Sequence, residues 1–118
     1  MTVKKMDFPE PLKKAIKASL DKKGEQLVVL DLRGIASFAD YFLIVSGNSQ
    51  RQNLAILGNI EGSLKKMKVE PLGIEGEMRA EWILMDYGDF IVHIFSPTAR
   101  EYYSLEKLWG DAKSYEFQ

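Results

Sequence analysis

The chain has 118 residues, 46% hydrophobic and 28% charged, which fits one soluble globular domain with a core of its own. Sixteen Lys and Arg oppose seventeen Asp and Glu, a balance that argues against a dedicated nucleic-acid binder, and the absence of cysteine excludes disulfides and thiolate metal sites. Met1 to Glu10 is charged and carries no apolar run of the secretory kind, and no apolar run approaches the ~20 residues of a membrane span, so a cytoplasmic protein is expected.

In chain order, Pro9 and Pro11 open a helix whose Leu12, Ala15, Ile16 and Leu20 recur at helical spacing until Gly24. Lys4, Lys5, Lys13, Lys14, Lys17, Lys22 and Lys23 gather here and read as a solvated face, with a phosphate-binding patch as the alternative. Glu25–Leu32 and Tyr41–Val45 read as strands, separated by a loop over Gly34–Asp40. Ser49 followed by Gln52 fits a capping box, and Leu54, Leu57, Ile60, Leu64 and Met67 give the helix it opens an apolar face ending by Lys68, before Pro71. Leu72–Gly76 is a short strand. Glu81–Tyr87 and Phe90–Phe95 are two more, joined by Gly88-Asp89 as a hairpin. Pro97 opens the last helix, with Thr98 and Glu101 as a capping box and Gly110 as its stop; residues 110–118 read as a loose tail. The order is α-β-β-α-β-β-β-α. It predicts a single α/β domain over 1–118, a mixed five-stranded sheet packed with helices.

Candidate chemistry is sparse. His93 is the only histidine, too few for a nitrogen-ligand metal site, and the hairpin register places it opposite Leu84 on the face of Trp82, Asp86, Ile91 and Phe95, as a packed side chain. Ser46-Gly47-Asn48-Ser49 lacks both the glycines of a nucleophile elbow and the lysine of a phosphate loop; it reads as a cap, with anion binding on free amides as the alternative. One enzymatic pattern is present. A Gly/Ser turn entering a helix, then Glu75-Gly76-Glu77 with Asp86 or Asp89 as a third carboxylate, resembles a magnesium-dependent nucleotidyltransferase, the alternative using Glu75, Glu77 and Asp89. The glycine between the acids marks a strand end, where geometry is loose. No catalytic residue and no cofactor are assigned.

Apolar surface stands out more. Trp82 and Leu84 point to one side of their strand, and Ile83, Met85 and Tyr87 to the other. Coverage should be thinnest near the hairpin turn, which makes Trp82, Met85 and Tyr87 candidate contact anchors.

Three segments together carry a resemblance: Asp40 through Ser49 with Arg51-Gln52; Trp82 through Asp89 continuing over Val92-His93-Ile94-Phe95; and Arg100-Glu101-Tyr102-Tyr103 with Leu105-Glu106 and Leu108-Trp109. They resemble the signatures of the ribosomal silencing factor family, related to Iojap, over about Gly24 to Trp109. The resemblance implies a nucleotidyltransferase-like fold without that activity. It further implies docking on ribosomal protein fourteen of the large subunit, steric blocking of subunit association, and repression of translation. By the same resemblance, partner contacts fall on Trp82, Met85, Asp86 and Tyr87; Met85 stands where a branched aliphatic residue is common. Neither sequence-specific nucleic-acid binding nor a membrane partner is expected, and a homodimer of the free protein is an open alternative.

Overall fold

The structure, a computed structural model, describes residues 7–117; Lys4 and Lys5 lie outside the described residues. The elements are α1 (Glu10–Asp21), β1 (Glu25–Asp31), β2 (Tyr41–Ser46), α2 (Gln50–Lys65), β3 (Gly73–Glu75), β4 (Trp82–Asp86), β5 (Phe90–Phe95), α3 (Pro97–Tyr103), α4 (Leu105–Leu108) and β6 (Lys113–Phe117). They form an α/β domain around one sheet of order β3-β4-β5-β2-β1-β6. Among the described strands only β2 and β5 run parallel, and α2 lies in the chain between them, as a parallel connection requires.

The predicted caps explain where the early elements begin. Pro9 precedes α1, where the missing N–H of a proline costs nothing. At α2 the Ser49 hydroxyl accepts from the Gln52 amide at 3.1 Å, and the Gln52 side chain accepts from Asn48 N at 2.7 Å. Gly88 adopts φ +85° in the turn between β4 and β5, a conformation that glycine reaches without penalty.

Three expectations are corrected. The sheet has six strands, not five, because most of the segment expected as a loose tail is a strand: Lys113–Phe117 pairs antiparallel with β1, Leu27 opposite Phe117. Phe8 holds that strand from the side, with ring centroids 5.5 Å from Tyr115 and 6.3 Å from Phe117. The last helix is two pieces, broken at Ser104, whose φ of 44° and ψ of 56° lie in the left-handed region. Its cap is Ser96, which accepts from Ala99 N at 3.1 Å, rather than Thr98. In α2 the buried face is Asn53, Ile56, Ile60 and Leu64, while Leu54 and Met67 are exposed. The face is rotated because a polar side chain occupies a core position: the Asn53 amide nitrogen donates to the Ala80 carbonyl at 2.7 Å, while its Oδ1 is buried without a hydrogen-bond partner among the described residues.

The sheet has two unequal sides. On one, α1 and α2 cover a core that includes Leu12, Ile16, Leu43, Ile60, Ile83 and Met85. On the other, the short helices α3 and α4 and the 32–40 loop cover a smaller core of Val28, Leu30, Phe42, Ile44, Phe95 and Leu105. The helices on the first side, α1 and α2, span 12 and 16 residues, whereas α3 and α4 on the second span only 7 and 4. The second side is therefore the thinly covered one.

Candidate aromatic contact face

An almost continuous row of rings runs over the thinly covered side. Phe38 from the 32–40 loop meets Phe42 of β2 and Trp109 after α4, at centroid distances of 6.0 and 5.8 Å. Phe42 meets the His93 ring edge-on at 4.5 Å. Trp82 then stacks on Phe95 at 5.1 Å and lies 4.4 Å from Tyr103, which touches Tyr102 at 5.0 Å. Phe42, His93 and Phe95 are buried and Trp82 and Trp109 half-buried, but Phe38 is 55% exposed and Tyr102 80%; Leu108 of α4, beside Trp109 in the chain, is 71% exposed. Strand alternation puts Phe42, Trp82, His93 and Phe95 on this side, because the registers Trp82↔Phe95, Leu84↔His93 and Ile44↔His93 hold adjacent strands in step.

Two polar arrangements fix this surface. The indole N–H of Trp82 donates to His93 Nδ1 at 3.0 Å, which leaves the imidazole proton on Nε2. His93 is 3% exposed, and burial pushes its pKa down to about 4, so the ring is neutral near pH 7. Arg100 of α3, also buried, donates to Ser46 Oγ at 3.1 Å and forms an ion pair with Glu106 of α4 at 2.7 Å. That pair ties both short helices to the end of β2.

The four residues expected to meet a partner do not share one surface. Trp82 and Asp86 lie half-buried on the thinly covered side. Asp86 supports the turn by accepting from Gly88 N at 2.8 Å. Met85 is 0% exposed and belongs to the core under the two long helices, so it presents no surface. Tyr87 lies on that same opposite side, stacked on Phe90 at 5.1 Å. Burial raises the Tyr87 pKa to about 12, with Glu61 nearby adding to the effect. Trp82 is not at the hairpin turn either: it pairs with Phe95 at the open end of the hairpin, next to α3. The exposed members of the face, Phe38, Tyr102 and Leu108, were missed by the sequence reading. A usable signal was present in Tyr102-Tyr103, since adjacent helical positions point about 100° apart and a short helix cannot bury both.

The acidic pattern does not assemble. Glu75 ends the edge strand β3, Gly76 turns the chain at φ +86°, and Glu77 follows in an exposed loop. Asp89 sits in the β4–β5 turn, beyond Asp86, which itself pairs with Gly73 at the far end of β3 from Glu75. Among the described residues, no three Asp, Glu or His side chains are grouped to hold a metal ion, and no helix is long and apolar enough to cross a membrane.

The chain is similar to known proteins in both sequence and fold. Residues 5–118 match the family described as "Ribosomal silencing factor during starvation". The chain is 43% identical over 113 residues to the ribosomal silencing factor of Halalkalibacterium halodurans, covering 96% of this chain and 97% of that protein. It is 46% identical over 101 residues to that of Bacillus subtilis, covering 86% of each. A crystal structure of a Chromobacterium violaceum protein superposes with a TM-score of 0.84 at 37% identity, covering 89% of this chain and 88% of that one. With a match over nearly its whole length and this degree of identity, the chain belongs to the ribosomal silencing factor family.

Proposed function

We propose that the protein silences ribosomes by docking its aromatic face on ribosomal protein fourteen of the large subunit, where it blocks association with the small subunit. The observation that carries this reading is the row of rings on the thinly covered side, ending in exposed Phe38 and Tyr102, with exposed Leu108 next to Trp109 in the chain. Aromatic side chains at a thinly covered surface are the usual anchors of protein contacts. The exposed carboxylates Glu81, Glu101 and Asp111 lie on the same part of the chain and suit a basic partner. A contact of roughly 1,200–2,000 Å² in total is of standard size, and a domain of this size can supply its half. Blocking needs no chemistry: occupation of the joining surface is sufficient. Trp82 and Asp86 remain in the proposed contact, and Met85 and Tyr87 act beneath it as support for β4.

Co-sedimentation with isolated large subunits tests the reading. The Tyr102→Ala, Leu108→Ala double variant alters only exposed side chains, so it should stay folded and bind roughly 30-fold more weakly, the scale of a lost hot spot. Leu72→Ala with Met78→Ala, exposed near the β3 edge, should bind as the native chain does. If the β3 pair weakens binding and the aromatic pair does not, the docking face has been assigned to the wrong side.

A further inference from the structure

The near-neutral net charge conceals a strong segregation. Residues 10–24 and 50–68, which contain α1 and α2, carry nine Lys or Arg against three carboxylates. Residues 70–118 carry four against ten. The packing of α1 on α2 brings the cations onto one surface. Gln52 donates to the carbonyls of Lys22 and Lys23, and Asn59 donates to that of Ala18, so the two helices run antiparallel. The end of α1 that leads into Lys22 and Lys23 thus meets the start of α2, where Arg51 lies, and the first turns of α1 lie towards the end of α2, where Lys65 and Lys66 lie. Lys13 and Lys17 are paired with Glu10 and Asp21; among the described residues Lys14, Lys65 and Lys66 are exposed with no carboxylate within 4.0 Å.

We propose that this α1–α2 surface is a contact for the phosphate backbone of double-helical RNA. Arg51 and Lys66 are separated by about 22 Å along α2 at 1.5 Å per residue, enough to meet several phosphates of one duplex. The outer surface between them holds exposed Ala55, Gly58 and Gly62, and a Cβ at either glycine would meet nothing within 4 Å. Nothing in the fold uses that openness, yet each solvent-facing glycine costs a helix interior roughly 1 kcal/mol relative to alanine. A backbone approaching closely between flanking cations would use it. An anionic membrane is a poorer fit, because a membrane-surface helix needs large apolar side chains beside its cations. The contact reads charge and shape, with no aromatic platform for bases, and it leaves the absence of sequence-specific recognition intact. It lies across the sheet from the aromatic face, and it stands independently of the docking proposed there.

Fluorescence anisotropy of the full chain with a labelled 20-base-pair RNA duplex tests this. Binding should be present at 50 mM salt and fall with a log–log slope of about −3 to −4, as four phosphate contacts require. Lys14→Glu with Lys66→Glu should weaken binding at least ~10-fold at 50 mM salt, whereas Lys107→Glu with Lys113→Glu, on the acidic side, should change it less than ~2-fold. Absence of duplex binding at 50 mM salt, equal losses in both pairs, or tighter binding to phosphatidylcholine vesicles containing 30% phosphatidylserine each overturns the proposal. The Tyr102→Ala, Leu108→Ala variant should bind the duplex as the native chain does. Lost duplex binding with intact large-subunit docking removes only the RNA contact, and the converse result removes only the docking face.

Discussion

His93 shows how one buried side chain can tie stability to pH. Folding holds its pKa near 4, against about 6.5 in the unfolded chain. Below pH ~6.5 the unfolded chain therefore binds a proton that the folded chain refuses, so stability present at neutral pH is lost as pH falls towards 4, by up to about 3 kcal/mol. Protonation at Nδ1 would also set two donors against each other at the Trp82 contact. Denaturant unfolding at pH 7 and pH 5 should show this loss, and His93→Gln should reduce it while keeping an acceptor for the indole. An unchanged pH dependence in the variant would assign the effect to carboxylates. Met85 gives the contrasting case. Met85→Ala should cost about 2–5 kcal/mol of stability, as a fully buried truncation does, while the fraction that stays folded binds large subunits normally. Weakened binding by fully folded Met85→Ala would return it to the contact. The sides taken by Trp82 and Met85 followed from strand alternation in the sequence. Which side was open did not, because that depends on the lengths of helices packed from elsewhere in the chain.

Local signals located most elements. Ser49 with Gln52, and Gly88 in the hairpin, are interactions spanning three or four residues, so they are visible to a reading of neighbours. The misread end of the chain lacks that locality. The sequence pointed to Thr98 with Glu101 as the start of the last helix, whereas the hydroxyl that accepts from Ala99 N is that of Ser96, one residue before Pro97. Ser96→Ala should therefore lower stability by about 1 kcal/mol, with Thr98→Ala nearly neutral, as read from chemical denaturation. Equal effects would mean that the cap is shared. The break at Ser104 was hidden for another reason: serine is not a residue that announces a left-handed conformation, and Arg100, bridging Ser46 and Glu106, sets the geometry on either side of it. β6 was missed because Lys113-Ser114-Tyr115-Glu116-Phe117 is a modest strand signal whose partner lies far back in the chain.

At the scale of the molecule, β6 completes the sheet. Phe117 is 6% exposed and packs with Phe8, so Phe117→Ala should cost about 3 kcal/mol and lower the melting temperature by several degrees. An unchanged melting temperature would mean that the last strand adds nothing to the domain. Its pairing also sets an order of events during synthesis. Leu27 waits for a partner ninety residues further along. At a translation rate of about 5–20 residues per second, that delay is on the order of 5–18 s. Throughout it, the outer edge of β1, with the apolar run Leu27–Leu30, has unpaired backbone groups and is open to any other extended strand. A nascent chain of this protein is thus most vulnerable to aggregation in the interval before its final strand appears, even though most of its core residues have by then been made.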